Sequence, residues 1–252
     1  MSPLTALILD WVITALWPIL GKSALELYSS VLFIEAGLLI GFLAITPWLV
    51  KRRLWGQIFS AELAPSLCAL GFFSSLAIVI FVSALSYTTA ANAAIMAQVE
   101  VIYSAVLCAY FLKEPIGLKQ SAASLLVMAG TGLVMAHDLA SPRWKGDLMI
   151  LATPWMFQVS HIASKRLPEG IDPLTVTGGR IFYGFLSLLP FCLWQLGHTP
   201  RWSWSAQGLA LLLAQGIGLS SVNFILWYMA ILRMDLAKAT TIMLSYPALT
   251  LL

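Results

Sequence analysis

Charge is what this chain has least of. Lys and Arg number 14 and Asp and Glu 11 in 252 residues, ten per cent together, whereas sixty per cent of the residues are hydrophobic. A water-soluble domain needs charged groups over its exterior and has nowhere to hide that much apolar surface. The mean hydropathy of +0.89 agrees, and the chain reads as an integral membrane protein. With no Lys/Arg block, no aromatic RNA-binding motif and a net charge of only +3, a nucleic-acid partner is set aside. Cysteine is scarce too. Cys68, Cys108 and Cys192 stand far apart within apolar stretches and read as small buried hydrophobes, not as disulfide or metal partners. Enzyme signatures are missing: there is no His-Glu-x-x-His, no Gly-x-Ser-x-Gly and no P-loop, since Gly21-Lys22-Ser23 lacks the preceding glycine-rich frame. The expectation is a non-enzyme without cofactor. Met1-Ser2-Pro3-Leu4 has no basic run before it and no small-residue cleavage site after its apolar stretch, so it reads as a first span, not a cleaved signal.

What is present is a series of long apolar windows. A bilayer requires about 17 to 25 such residues per helix. Windows fall near 4–20, 30–50, 63–85, 90–112, 121–136, 148–162, 174–196, 208–231 and 236–252, the fifth and sixth being short enough to extend into their flanking loops. The loops between are brief, which makes neighbouring helices antiparallel. Even-numbered loops hold nine Lys or Arg (Lys51, Arg52, Arg53, Lys113, Lys119, Lys165, Arg166, Arg233, Lys238); odd loops hold four (Lys22, Arg143, Lys145, Arg201). The positive-inside rule then places the N-terminus and even loops in the cytoplasm. Ten Trp suit the headgroup boundary, and the loop His198-Thr199-Pro200-Arg201-Trp202-Ser203-Trp204 faces outward.

Two phrases are near copies: Gly41-Phe42-Leu43-Ala44-Ile45-Thr46-Pro47 and Gly184-Phe185-Leu186-Ser187-Leu188-Leu189-Pro190, 143 positions apart. At the same offset Lys22, which ends span one, falls on Lys165, which ends span six. The unit is therefore five spans, an odd number, so the second copy is inverted relative to the first, as in transporters of alternating access. The halves divide as 1–140 and 141–252. Pairing predicts ten spans, yet the sequence stops at Leu252 within the ninth without a stop-transfer charge. The expectation is a truncated product, with a natural nine-span variant as the alternative.

One stretch carries a family resemblance. Ala84-Leu85-Ser86-Tyr87-Thr88-Thr89-Ala90-Ala91-Asn92-Ala93-Ala94, followed by Tyr110-Phe111-Leu112-Lys113-Glu114-Pro115, resembles the fourth-helix start and exit of EamA-type drug/metabolite transporters. A second copy, Ala230-Ile231-Leu232-Arg233-Met234-Asp235-Leu236-Ala237-Lys238-Ala239-Thr240-Thr241-Ile242-Met243, aligns at an offset of 146 to 147. The resemblance covers nearly the whole chain. It implies a polytopic all-α bundle of two inverted five-helix repeats, ten spans with cytoplasmic termini, and fourth and ninth helices lining a central cavity. Three departures stand out: Glu100 where the second copy has Pro247, Lys113 in place of the family's exit glycine, and the missing last helix.

An ionisable group inside a bilayer costs about 2.5 to 3.5 kcal/mol on insertion scales, so each one asks for a reason. Glu100, mid-span with Gln98 two residues before it, is a candidate to bind a cationic substrate group or carry a proton; otherwise it ties helices together. Arg180, early in span seven, offers a planar fork to a carboxylate or phosphate, or else snorkels to the interface. Glu35 is its candidate partner. Asp10, mid-span one, is a proton-coupling candidate or a cap for a helix break. Trp155, Gln158 and His161 read as a stripe on span six that contacts substrate or bonds between helices. Lys22 and Lys165, at helix ends, read as topology anchors. Pro18 and Pro154 kink spans one and six, and Gly130-Thr131-Gly132 and Gly216-Ile217-Gly218 read as close-packing surfaces.

These readings converge on a secondary carrier of a small polar metabolite in a bacterial inner membrane. It works by alternating access around a cavity lined by spans one to four and six to nine, exports its solute, and is driven by a proton gradient or exchange. The alternative is a non-transporting or truncated membrane protein with a binding, regulatory or relic role. The expected partners are a small-molecule substrate and the lipid bilayer; oligomeric state is open between monomer and homodimer.

Overall fold

A computed structural model describes residues 1–114, 117–138, 143–198 and 200–246, and every regular element among them is helical. In chain order these are α1 (Pro3–Ala24), α2 (Ser30–Lys51), α3 (Ala64–Ala84), α4 (Ala90–Phe111), α5 (Leu118–Asp138), a two-part α6 (Trp144–Leu151 and Pro154–Lys165), α7 (Pro173–Leu196), α8 (Ala206–Ile231) and α9 (Leu236–Met243), with a single turn at Trp55–Ile58. Six of them, α1 to α4, α7 and α8, are long and apolar enough to cross a membrane. The short windows expected at 121–136 and 148–162 fall on α5 and α6, both of which run past the expected ends. Helix α9 covers the start of the ninth window; Pro247 and the residues after it lie outside the described residues.

Helices form here because no water reaches a hydrocarbon core, and only a helix closes its own backbone bonds within one segment. The starts of α1, α4, α7 and α8 are capped by short polar side chains. Ser2 Oγ accepts from Thr5 N at 3.1 Å with Pro3 behind it, Asp172 accepts from Leu174 N at 2.9 Å with Pro173 behind it, and Ser205 Oγ accepts from Gly208 N at 3.0 Å. Large apolar side chains such as Leu43, Leu126 and Leu133 face outward, a surface that suits lipid and not water.

Four helices are irregular. Helix α1 breaks at Leu16 and α6 at Ala152–Thr153, where Pro18 and Pro154 open the second segments, as the missing proline N–H requires. Helix α4 tightens to a 3₁₀ turn at Ala97–Val99, directly before Glu100, and α8 widens to a π-helix over Ala214–Asn223. Neither stretch contains proline, so the sequence does not announce them. Helix α4 ends with Lys113 at φ 55°, the left-handed position that glycine occupies freely. The departure at the exit glycine thus places a strained lysine there.

Two helix crossings share one construction. A Cβ on Gly71 of α3 would stand 2.9 Å from the Arg180 carbonyl of α7; one on Gly216 of α8 would stand 2.9 Å from the Gly37 carbonyl of α2. Arg180 and Gly37 are 143 positions apart. The repeated-phrase glycines lie in the same seams, Gly184 against Ser75 and Gly41 against Gly216 and Ser221. Close backbone approach thus fixes α3 on α7 and α8 on α2. Gly218 and Gly130, also expected to pack closely, point away from the seams: a Cβ on either would have nothing within 4 Å. The side-chain surroundings of Thr131 and Gly132 lie outside the described residues.

The lysines at the repeat offset do not anchor topology by reaching outward. Lys22 Nζ donates to the carbonyls of Leu85 and Thr88; Lys165 Nζ donates to those of Ile231 (2.8 Å) and Met234 (2.9 Å). Each caps the C-terminal end of a neighbouring helix, α3 and α8, whose last carbonyls have no partner of their own.

Candidate functional site

The helix irregularities surround one cavity of about 120 Å³. Asp10, Thr14 and Trp17 reach it from α1, Glu100 from α4, Pro154, Phe157 and His161 from α6, and Thr240, Met243, Leu244 and Tyr246 from α9 and its end. Helix α8 supplies Gln215, Leu219, Ser220, Asn223, Phe224 and Trp227, all from its π stretch or the turn after it, and α3 adds Ile78 and Phe81. No lining residue comes from α2 or α7, although both were expected, because their inner faces are spent on the glycine seams.

The polar groups are few and placed. Glu100 Oε1 accepts from Gln158 Nε2 at 2.7 Å, joining α4 to α6, and Gln158 also reaches Thr240 Oγ1 of α9 at 3.5 Å. Asn223 and Thr14 bond side chain to side chain, joining α8 to α1. Trp227 Nε1 donates to His161 Nδ1 at 3.1 Å, so that nitrogen carries no proton and the ring is neutral. Asp10 is 1% exposed, and neither carboxylate oxygen has a hydrogen-bond partner among the described residues. Orphaned polar atoms of this kind are rare in proteins and ask for an explanation. Trp17 stacks on Phe81 at 4.3 Å to close one end. Beyond that stack lies a second, more polar cleft of about 390 Å³, bordered by Lys145, Arg201 and several serines. One apolar cluster separates the two: its members Trp17 and Phe81 line the cavity, its members Leu25 and Met149 the cleft.

An apolar helical bundle with broken helices around a polar-studded cavity is a transporter architecture. A family model of EamA-like transporters matches residues 1–136 and 144–252. This chain belongs to the EamA-like transporter family. As an EamA-like protein it is an integral, multi-pass membrane protein. A relative from Archaeoglobus fulgidus, described as an uncharacterized transporter, is 24% identical over 171 residues, which is 66% of this chain and 58% of that protein. A solved crystal structure superimposes with a TM-score of 0.75 at 18% identity, covering 99% of this chain and 87% of that one, and shows a shared fold.

Of the residues singled out in this EamA-like sequence, Asp10, Glu100 and His161 meet at the cavity, and Gln158 joins them through Glu100. Arg180 stands behind the wall, its guanidinium carbon 3.2 Å from the centroid of the Phe224 ring. Trp155 does not belong to the site. It is 40% exposed and meets Phe73 edge to face. Two steps of three residues carry the helix about 120° short of two full turns, so Trp155 and His161 occupy different faces. Gln98 is buried and donates to the Ala94 carbonyl of its own helix at 3.4 Å. Glu35 forms no ion pair with Arg180; both of its oxygens are unpartnered. Thr14, Asn223, Gln215 and Ser220 went unnoticed in the sequence. The signal for three of them was the polar cluster in an otherwise apolar eighth window.

Proposed function

We propose that this protein is a secondary carrier that moves a small polar metabolite by alternating access, drawing on a proton gradient or on exchange. The observation that carries this reading is the meeting of Asp10 and Glu100 in a cavity formed where α1, α4, α6 and α8 all depart from regular helix. Irregular backbone inside a bilayer is tolerated only where it lines a cavity or is covered by protein. Discontinuous helices are also where transporters build their sites and hinges. Asp10 and Glu100 are the proton-coupling candidates, because a buried carboxyl group gains or loses charge with its surroundings.

The two lysine caps and the two glycine seams, each pair at offsets of 143 to 146, support inverted halves at 1–140 and 141–252. On this reading the N-terminus is cytoplasmic, the membrane is a bacterial inner membrane, and export is the working direction. The Trp17–Phe81 cluster is then the closed outer gate, with the Lys145–Arg201 cleft as its vestibule. The test is reconstitution in proteoliposomes with a screen of amino acids, amines and nucleosides, with and without a pH gradient. Saturable flux of one class supports the carrier. No flux from a well-folded sample favours the alternative, a membrane protein that binds without transporting.

A further inference from the structure

Arg180 is a cation buried at a cost. It is 1% exposed, and Nε, Nη1 and Nη2 all lack a hydrogen-bond partner among the described residues. No carboxylate lies within ion-pair distance among the described residues. A guanidinium presents five N–H donors in a rigid planar fork and does not shed its proton, so burial alone cannot neutralise it. The face of the Phe224 ring lies 3.2 Å from its guanidinium carbon and offers charge attraction but no acceptor for the donors.

Its surroundings repeat the pattern. Tyr228, one turn beyond Phe224 on α8, is fully buried, and its hydroxyl is also unpartnered. Arg180, Tyr228 and Asp10 together hold six buried polar atoms without a hydrogen-bond partner among the described residues: three donor nitrogens, a hydroxyl and two carboxylate oxygens. If Arg180 and Asp10 were simply a structural ion pair, they would touch. They do not.

Phe224 is what separates Arg180 from the cavity, since its ring lines the cavity and covers the guanidinium. It comes directly after the π-helical stretch Ala214–Asn223. A change of rotamer at Phe224 moves its ring while the backbone, and with it Tyr228 one turn on, stays in place. Phe224 therefore has a ready route aside.

We propose that Arg180 and the Tyr228 hydroxyl form an oxyanion subsite, occluded by Phe224, that opens onto the central cavity and takes a carboxylate or phosphate group. The proposal rests on the carrier reading and deepens it: the transported molecule bears an oxyanion that displaces Phe224 from the cavity wall. The guanidinium fork supplies paired N–H donors, the phenol a third, and the apolar surroundings strengthen all three.

The test is binding, kept separate from flux. The full-length protein in detergent is titrated with sodium acetate, inorganic phosphate or sodium chloride at constant ionic strength, and the thermal midpoint is followed. Acetate, phosphate or both raise it saturably while chloride does not, and the stronger of the two assigns carboxylate or phosphate. R180Q weakens that response at least tenfold, and F224A, which removes the cover, binds several-fold tighter. Should R180Q fail to fold, F224A and Y228F carry the test, Y228F weakening the response about threefold or more. Equal titrations for R180Q and the unsubstituted protein, no response to either oxyanion, or looser binding by F224A overturns the subsite. An Arg180-dependent response in protein that gives no flux leaves the subsite standing and removes the carrier. Flux without that response does the reverse.

Discussion

Lys22 and Lys165, 143 positions apart, make the same pair of bonds. Each donates to two carbonyls three residues apart, Leu85 and Thr88 for the first, Ile231 and Met234 for the second. Removing either donor leaves two helix-end carbonyls short of a partner at a charged hydrogen bond's cost, about 1–2 kcal/mol where water gains partial access. Lys22→Met and Lys165→Met should therefore lower thermal stability by similar amounts. Lys165→Met should lose slightly more, because Lys165 also lies 3.9 Å from Glu114, which caps α9 at Leu236 and Ala237. A large loss for one and none for the other would break the equivalence of the two halves.

The strained exit of α4 gives an opposite sign. A non-glycine residue in left-handed geometry costs about 1–2 kcal/mol, and Lys113 is held at φ 55°. Lys113→Gly should raise the unfolding midpoint, offset in part by the greater freedom of glycine in the unfolded chain, for a net gain of about 0.5–1 kcal/mol. Lys113→Val should lower it.

Glycines separate by their neighbours. Gly41→Val puts a side chain where the Gly216 carbonyl stands, and overpacking of that kind costs about 1–3 kcal/mol. Gly184→Val meets Ser75 and should cost as much. Gly218→Ala and Gly130→Ala enter open space within helices and should stabilise by about 0.5–1 kcal/mol. Denaturation of the four variants side by side checks the order.

The legible part of this molecule is the part that the bilayer dictates. Apolar windows stand out because hydrocarbon excludes charge, so α1 to α4, α7 and α8 fall where expected. Helix α6 begins earlier than its window because Trp144, Lys145 and Asp147 lower its apolarity. Asp10 and Glu100 were visible as isolated charges in apolar runs. Phe224, Trp227 and Tyr246 were not, because aromatic residues are everywhere in this chain and provide no contrast. The π stretch of α8 and the 3₁₀ turn before Glu100 have no proline to mark them. Trp155 was misplaced by extending a three-residue spacing beyond the one step over which it keeps to a face.

Coupling has its own signature at Glu100. Glu100→Gln keeps the size of the side chain and a hydrogen bond to Gln158 but cannot exchange a proton. Gradient-driven uptake in proteoliposomes should fall to background, while substrate exchange without a gradient continues. Retained uptake driven by pH would take Glu100 out of the mechanism.

Alternating access is the central claim, and accessibility of the cavity from both sides tests it most directly. With Cys68, Cys108 and Cys192 replaced, a single cysteine at Thr14, which lines the cavity, is offered an impermeant thiol reagent from either face of sealed vesicles. Labelling from both faces, with rates that shift in opposite directions when a transported solute is added, is the predicted result. Labelling from one face only, unchanged by any solute that the vesicles take up, would contradict alternating access.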